Sequence, residues 1–355
     1  MCRFAKDGRH LANLVSEATA VCRAADDALP KRKGPGRPVV YQLWQFAILI
    51  FIAILRGCKS KCSQYRYLSQ HQKMLAPLLK RTVGLSEFPS RATYFRAYRN
   101  AYRLYQQAIK IGGRRALQEG CADASTVAID KSLIAARGPC PSRYKERKGV
   151  DLEAAWCKSA HDGWVYGYSY EVVVSAGENG VVVMPLLASA DRANCSEHRS
   201  AIAKVPDLPP SVRNTLTDCG YDDNEFAEAI EYTPEGKRTG RRLLCPLQSR
   251  GGRPKVGQTV RKGRREKLRQ HRLQRAKFMA SKRGKRLFAR RRQTIEPFNQ
   301  WFKHLFKLEE RVWHRGVENN RTMLLAALFS YQLLQRYNYA CGNRDGQINW
   351  ILDGL

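Results

Sequence analysis

The spacing of apolar residues changes period once, near Cys121, and that change limits the folds open to the chain. From Tyr41 to about Glu119 the pattern is helical throughout. Ser90 stands where it can cap a long helix in which Tyr94, Tyr98, Tyr102 and Tyr105 recur at helical spacing among arginines. Such an aromatic stripe reads as core, and the arginines on the other face could track phosphates. After Cys121, β-rich runs take over: TVAID (126–130), WVYGYSYEVVVSA (164–176) and GVVVMPLLASA (180–190), with GENG as the turn between the last two. A helix is expected from about Ser196. A strand follows in VRNTLTDCGYDD (212–223), ending at Asp218, then a helix capped by Asp222 and Asp223, then a strand in RRLLCPL (241–247). The order β-β-β-α-β-α-β-α specifies an α/β domain: a mixed sheet with helices on its faces, preceded by an α-helical region.

Charge narrows the partners. The 355 residues carry 63 Lys and Arg against 31 Asp and Glu, a net charge of +32. An excess of that size repels itself in a compact state and is expected to meet a polyanion. A membrane is not the expected partner: the most apolar run, LWQFAILIFIAIL (43–55), is thirteen residues long, too short to span. That run also follows basic, Pro/Gly-rich sequence, so it does not read as a signal peptide. Eleven scattered cysteines in a chain with no export signal read as reduced thiols in a cytoplasm. Cys58 and Cys62 have no second pair in zinc-site order, and His161, His198 and His314 form no nucleophile pattern.

The basic residues are unevenly distributed. KRKGPGRP (31–38), with Lys31, Arg32, Lys33 and Arg37, reads as a basic linker that resembles an AT-hook, an element that places arginine in a narrow minor groove. Between Arg261 and Ile295 stand sixteen Lys or Arg and one acid, Glu266. Residues 248–290 are too basic for core and read as a loop and solvated helix inserted into the domain, with Arg261, Lys262, Arg264, Arg265, Arg290 and Arg291 offered to DNA. The expected division is an N-terminal helix and linker (1–40), a helical DNA-binding region (41–120), a catalytic domain (121–340) and a tail (341–355). An amphipathic helix over 318–338, with Leu324, Leu328, Tyr331 and Leu334 on one face, ends that domain.

Glu296 at the edge of the basic segment points to chemistry. Asp130 and Asp218 each close a strand; if those strands are parallel neighbours, both carboxylates reach one rim, and Glu296 can join them from its helix. Three clustered carboxylates persist only when neutralised, and hard oxygen-ligated cations such as Mg²⁺ or Mn²⁺ do this. Two such ions about 3.5–4 Å apart stabilise both the attacking and the leaving oxygen in displacement at phosphorus. The simpler reading of Glu296 is an acid in the first turn of a helix capped by Thr294. Trp301, on the same helix, reads as packing against the sheet or stacking on a displaced base.

These elements resemble the DDE transposases of bacterial insertion sequences, IS4-like and related families, over about Ser125 to Asn338. AIDKS resembles the first-aspartate strand, with Ser132 where a small hydroxyl residue is usual. Tyr166-Gly167-Tyr168 matches an aromatic-Gly-aromatic signature, and TDCGYDD a D-x-G-Y-D element. Arg292, Glu296 and Lys303 keep the spacing of a Y-x2-R-x3-E-x6-K signature, with Ala289 in the tyrosine position. The resemblance implies an RNase H-like core and Asp130, Asp218 and Glu296 as metal ligands. It implies Arg292 and Lys303 at the phosphates, and end cleavage and strand transfer on double-stranded DNA by a homodimer. A nuclease without strand transfer, or a degenerate copy that only binds DNA, are the alternatives.

Overall fold

The computed structural model describes residues 10–30, 40–142, 148–159, 163–248 and 264–355, the side chains of 264–269 excepted. The helical region comprises α1 (His10–Ala28), α2 (Leu43–Leu55), α3 (Lys61–Gln70), α4 (Gln72–Leu78) and α5 (Arg91–Gln118). Ser90 caps α5 by accepting the Thr93 N–H, as its position predicts. Tyr94, Tyr98 and Tyr105 are fully buried, so the aromatic stripe is core. The apolar run 43–55 is α2, buried along nearly its whole length, and no described helix is long and apolar enough to cross a membrane.

Among the described residues six strands form one sheet: β1 (Thr126–Ala135), β2 (Ala155–Ser159), β3 (Gly163–Ser175), β4 (Pro185–Arg192), β5 (Asn214–Leu216) and β6 (Arg242–Leu244). The order is β2-β3-β1-β5-β6, and β4 also pairs with β3. β2 pairs with residues 163–167 of β3 and β4 with 168–174, so the two follow each other along the edge opposite β1. β1 is antiparallel to β3 and parallel to β5, which is itself parallel to β6. This mixed sheet with helices on both faces is the RNase H-like arrangement. Two strand expectations need correction. β2 is an additional, half-exposed edge strand, and β4 begins at Pro185 rather than directly after the GENG turn.

Alternation along β1 sorts the two faces. Ala128 and Ile134 join a core with α1, α2, α5 and the C-terminal helices, whereas Val127 and Ile129 join a second core on the opposite face. That second face is covered by α6 (Glu197–Ile202) and α7 (Asn224–Glu231), the latter capped by Asp223. Asp222 is not a cap. It is buried, accepts the Gln248 N–H, and pairs with Arg272 and Arg275 of α8 (Arg264–Ala280). The inserted basic helix is therefore anchored by a buried ion pair.

The last long helix, α10 (Val317–Ala340), is buried on every side from Thr322 to Asn338, not along a single apolar face. Its polar residues are bonded to their surroundings: Thr322 Oγ1 donates to Tyr98 O at 2.7 Å, and Gln332 Nε2 to Ile109 O at 2.9 Å and Pro185 O at 2.6 Å. Gly112 of α5 has no room for a Cβ because Gln332 lies against it. Arg336, almost wholly buried, pairs with Glu17 and Glu119. The C-terminal residues fold back as α11 (Asn349–Asp353), which buries Ile351. No described cysteine is in a disulfide; Cys58 is half-buried and Cys62 exposed.

His314 ties α3 to this core by accepting the Lys61 N–H at Nε2, 2.9 Å away. Burial, aided by Lys61 and Arg137, pushes its pKa down to about 3. A base whose folded pKa lies below its unfolded value of about 6.5 leaves the native state unable to take the proton that the unfolded chain takes. Its contribution to stability is present above about 6.5 and lost as pH falls toward 3, at up to about 1.4 kcal/mol per pH unit. Chemical unfolding at a series of pH values should show a shallower acid slope for His314→Gln than for the wild type.

Candidate active site

β1 does not stop at Asp130, as its sequence suggests; it runs on to Ala135 against β3. The parallel ladder with β5 ends earlier, at Ala128 opposite Leu216. Asp130 therefore sits just past the point where β5 leaves the sheet, and its neighbour there is the turn that follows β5. Asp218 opens that turn, a 3₁₀ segment over Cys219–Tyr221, with Oδ1 accepting the Gly220 N–H at 2.9 Å. A Cβ on Gly220 would meet the end of the Glu197 side chain, which would have to shift, and would press on Asp218 Oδ1.

The third acid comes from α9 (Lys282–Leu305). Ser281 caps this helix by accepting the Gly284 N–H at 3.1 Å, and Thr294 lies inside it. Glu296 is thus a mid-helix residue, not an acid in a first turn. Pro297 follows it and removes one backbone donor from the middle of the helix. Positions 296, 299 and 303 share a face. Asn299 Nδ2 donates to Asp130 Oδ2 at 2.8 Å, and Lys303 Nζ donates to Leu133 O at 2.9 Å, so this face lies along β1. Trp301 is half-buried against the same core and stacks with His304.

Arg291 links two of the acids. One of its terminal nitrogens donates to Asp130 Oδ1 at 3.0 Å and the other to Glu296 Oε1 at 2.9 Å, and its Nε is buried without a partner. Burial raises the Asp130 pKa to about 7; Arg291 opposes that shift, and Asp218 and Glu197 add to it. Burial raises Glu197 as well, against the pull of Lys131, whose Nζ is 3.8 Å away. Among the described residues no three Asp, Glu, His or Cys side chains stand close enough to hold an ion. A guanidinium instead bridges Asp130 and Glu296. The three expected ligands are all carboxylates, and one cation, Arg291, already reaches two of them. Hard divalent cations are the ions that chemistry suits.

The other residues expected at the site are spread more widely. Arg292 is exposed on α9. Arg290, expected on the DNA surface, turns inward: its guanidinium donates to the carbonyls of Ala176 and Gly177 and lies 3.5 Å from Glu178. Lys31, Arg32, Lys33, Arg37, Arg261 and Lys262 lie outside the described residues; Arg264 and Arg265 open α8, their side chains likewise outside them.

Sequence reasoning missed the layer beneath the acids. Glu171 on β3 is buried and pairs with Lys204 at 2.6 Å, and its other oxygen accepts the Tyr221 hydroxyl at 2.9 Å. The tyrosine of the D-x-G-Y-D element thus fastens the Asp218 turn to the sheet. A charged residue inside SYEVVV was the available signal, since carboxylates are seldom buried without a partner. The aromatic-Gly-aromatic signature also has a structural reason. Gly167 has no room for a Cβ beside Ile134 and Ala135 of β1, while the Tyr166 and Tyr168 hydroxyls both donate to Asp151, at 2.6 and 2.7 Å. A cavity of about 1010 Å³ between α6, α7 and α8, lined by Tyr232, His271 and Arg275 among others, includes none of the three acids.

An RNase H-like sheet with Asp130 on its central strand, and Asp218 in the turn after the adjoining parallel strand, defines the class of the fold. Residues 121–333, more than half of the chain, match the transposase DDE domain family, and the chain belongs to that family. Family membership implies DNA as the partner and cleavage of nucleic acid as the general activity. No curated protein and no solved structure matches the chain.

Proposed function

We propose that the chain is the transposase of an insertion sequence, which cuts the element's ends hydrolytically to expose a 3′-hydroxyl and joins that hydroxyl to target DNA. The observation that carries this reading is the Arg291 bridge between Asp130 and Glu296, with Asp218 close enough to raise the Asp130 pKa. Arg291 joins Asp130 to Glu296 across two distant segments, and Asp218, from a third, acts on Asp130. In this reading Asp130, Asp218 and Glu296 hold Mg²⁺ or Mn²⁺, as two ions. When bound, such ions supply an activated oxygen nucleophile and charge neutralisation at phosphorus.

The chain's own residues do the rest. Arg292 meets the DNA backbone from the exposed side of α9. Lys303, bonded to the β1 backbone, sets the depth at which a phosphate can approach. Arg261, Lys262, Arg264 and Arg265, together with 31–38 and the helical region 41–120, supply sequence-independent and end-binding contacts. A homodimer brings two ends together.

The test is an end-labelled duplex carrying the element's terminus, incubated with Mg²⁺, Mn²⁺, Ca²⁺ or EDTA. Cleavage and strand transfer are expected with Mg²⁺ and Mn²⁺. Calcium should support binding with little turnover, because its longer and looser ligation misplaces the reacting oxygens. Undiminished cleavage in EDTA would remove the metal mechanism, and cleavage without joining would reduce the protein to a nuclease.

A further inference from the structure

We propose that Asn299 and Tyr170 form a positioning relay that fixes the orientation of the Asp130 carboxylate and sets the register of α9 against β1. The inference rests on the catalytic reading of Asp130 and Glu296. Asn299 lies one helical turn beyond Glu296 and donates from Nδ2 to Asp130 Oδ2 at 2.8 Å. The Tyr170 hydroxyl donates to Asn299 Oδ1 at 2.9 Å. With its oxygen held by that donor, the amide can present only N–H to Asp130.

The second member of the relay is itself immobile. Tyr170 is fully buried, sits opposite Ser132 of β1 in the sheet register, and meets Phe302 of α9 edge-on with ring centroids 5.1 Å apart. The two Asp130 oxygens therefore differ in kind of partner. Oδ1 is held by Arg291, a long charged side chain that Glu296 also engages. Oδ2 is held by a short amide braced from the core. When Arg291 gives way to another cation, Asn299 still sets the carboxylate plane. One helix face then delivers Glu296 and the group that aims Asp130, so the two acids keep a fixed separation. Hydrogen bonds behind a ligating carboxylate commonly carry about 10–100-fold in metal affinity or activity.

The test uses the full chain with three substitutions in the relay and Asp130→Asn as a control. Asn299→Leu keeps the volume and removes the donor, Asn299→His returns a ring N–H at the same reach, and Tyr170→Phe frees the amide to rotate. Single-turnover end cleavage is measured at a series of Mn²⁺ concentrations, together with the melting shift that Mn²⁺ produces without DNA. Asn299→Leu is expected to lower the maximal rate about 10–100-fold and to raise the Mn²⁺ concentration needed for half the melting shift. Tyr170→Phe should lose a few-fold, and Asn299→His should recover most of the loss. A mere helix-to-sheet anchor would lower the melting temperature and leave rate per folded molecule and Mn²⁺ dependence unchanged; that result overturns the relay. Equal behaviour of wild type and Asp130→Asn in both assays would instead sink the catalytic reading, and the relay with it. Normal wild-type cleavage with an indifferent Asn299→Leu rejects the relay alone.

Discussion

Glu296→Gln is expected to bind DNA as tightly as the wild type, or slightly more so, while end cleavage falls by about 10²–10³-fold or more. The substitution keeps side-chain volume and removes one negative charge facing phosphate. Glu296 is in the interior of α9 and half exposed, so it caps nothing. Glu and Gln have nearly equal helix propensity, and an exposed substitution of this kind shifts stability by only about 0.5 kcal/mol. Losing the Arg291 contact costs little for the same reason: exposed ion pairs contribute about 0–1 kcal/mol. Melting should therefore be unchanged while chemistry collapses. A gel-shift titration, a cleavage time course and a melting curve on one preparation separate the three quantities. A variant that melts early yet cuts at the normal rate would mark Glu296 as structural only.

The second large effect is expected at the paired aspartates. Asp130→Ala and Asp218→Ala should each reduce cleavage by about 10⁴-fold or more, and the double variant should be scarcely worse than either single one. Groups that act as one unit fail together. Their costs in stability should differ, however. Asp218→Ala removes the acceptor that closes the Cys219–Tyr221 turn and should lose about 1 kcal/mol. Asp130→Ala leaves that turn intact; it removes a carboxyl whose charged form burial disfavours but strands the Arg291 and Asn299 donors, so its cost falls on α9 instead. Near-normal turnover in Asp218→Ala would show that the second acid lies elsewhere.

The candidate acids stand out in the sequence for different reasons: Asp130 follows the apolar run TVAI, Asp218 precedes an unusual Gly-Tyr pair, and Glu296 ends a basic segment. The D-x-G-Y-D tyrosine is held by buried Glu171, and its glycine lies against the movable end of Glu197. Strand limits were not legible. Lys131 and Ser132 look like the end of TVAID, yet they pair with Glu171 and Tyr170, because Lys131 finds both a carbonyl and Glu197 on the far face. AWCKS alternates too weakly to announce an edge strand. The start of α9 was hidden by its charge: KRGKR looks like solvated coil, but Gly284 lets the helix begin against the Phe278 carbonyl of α8. Arg290 and Arg291 show the limit of reading charge as surface. Counting arginines finds the basic segment, but only the packing tells which of them serve carboxylates and carbonyls instead of phosphates.

The burial of α10 bears on how copies of such a gene decay. One side of this helix is covered by α5 and another by β4, with Gln332 bonded to both Ile109 and Pro185. A chain begun at Cys121, past α5 and its C-cap Glu119, would expose that side to water and leave Arg336 without Glu17 and Glu119. Such a remnant, although it would carry all three acids, is expected to aggregate or be degraded, so a 5′-truncated copy cannot persist as a free-standing cutting module acting on ends elsewhere in the genome.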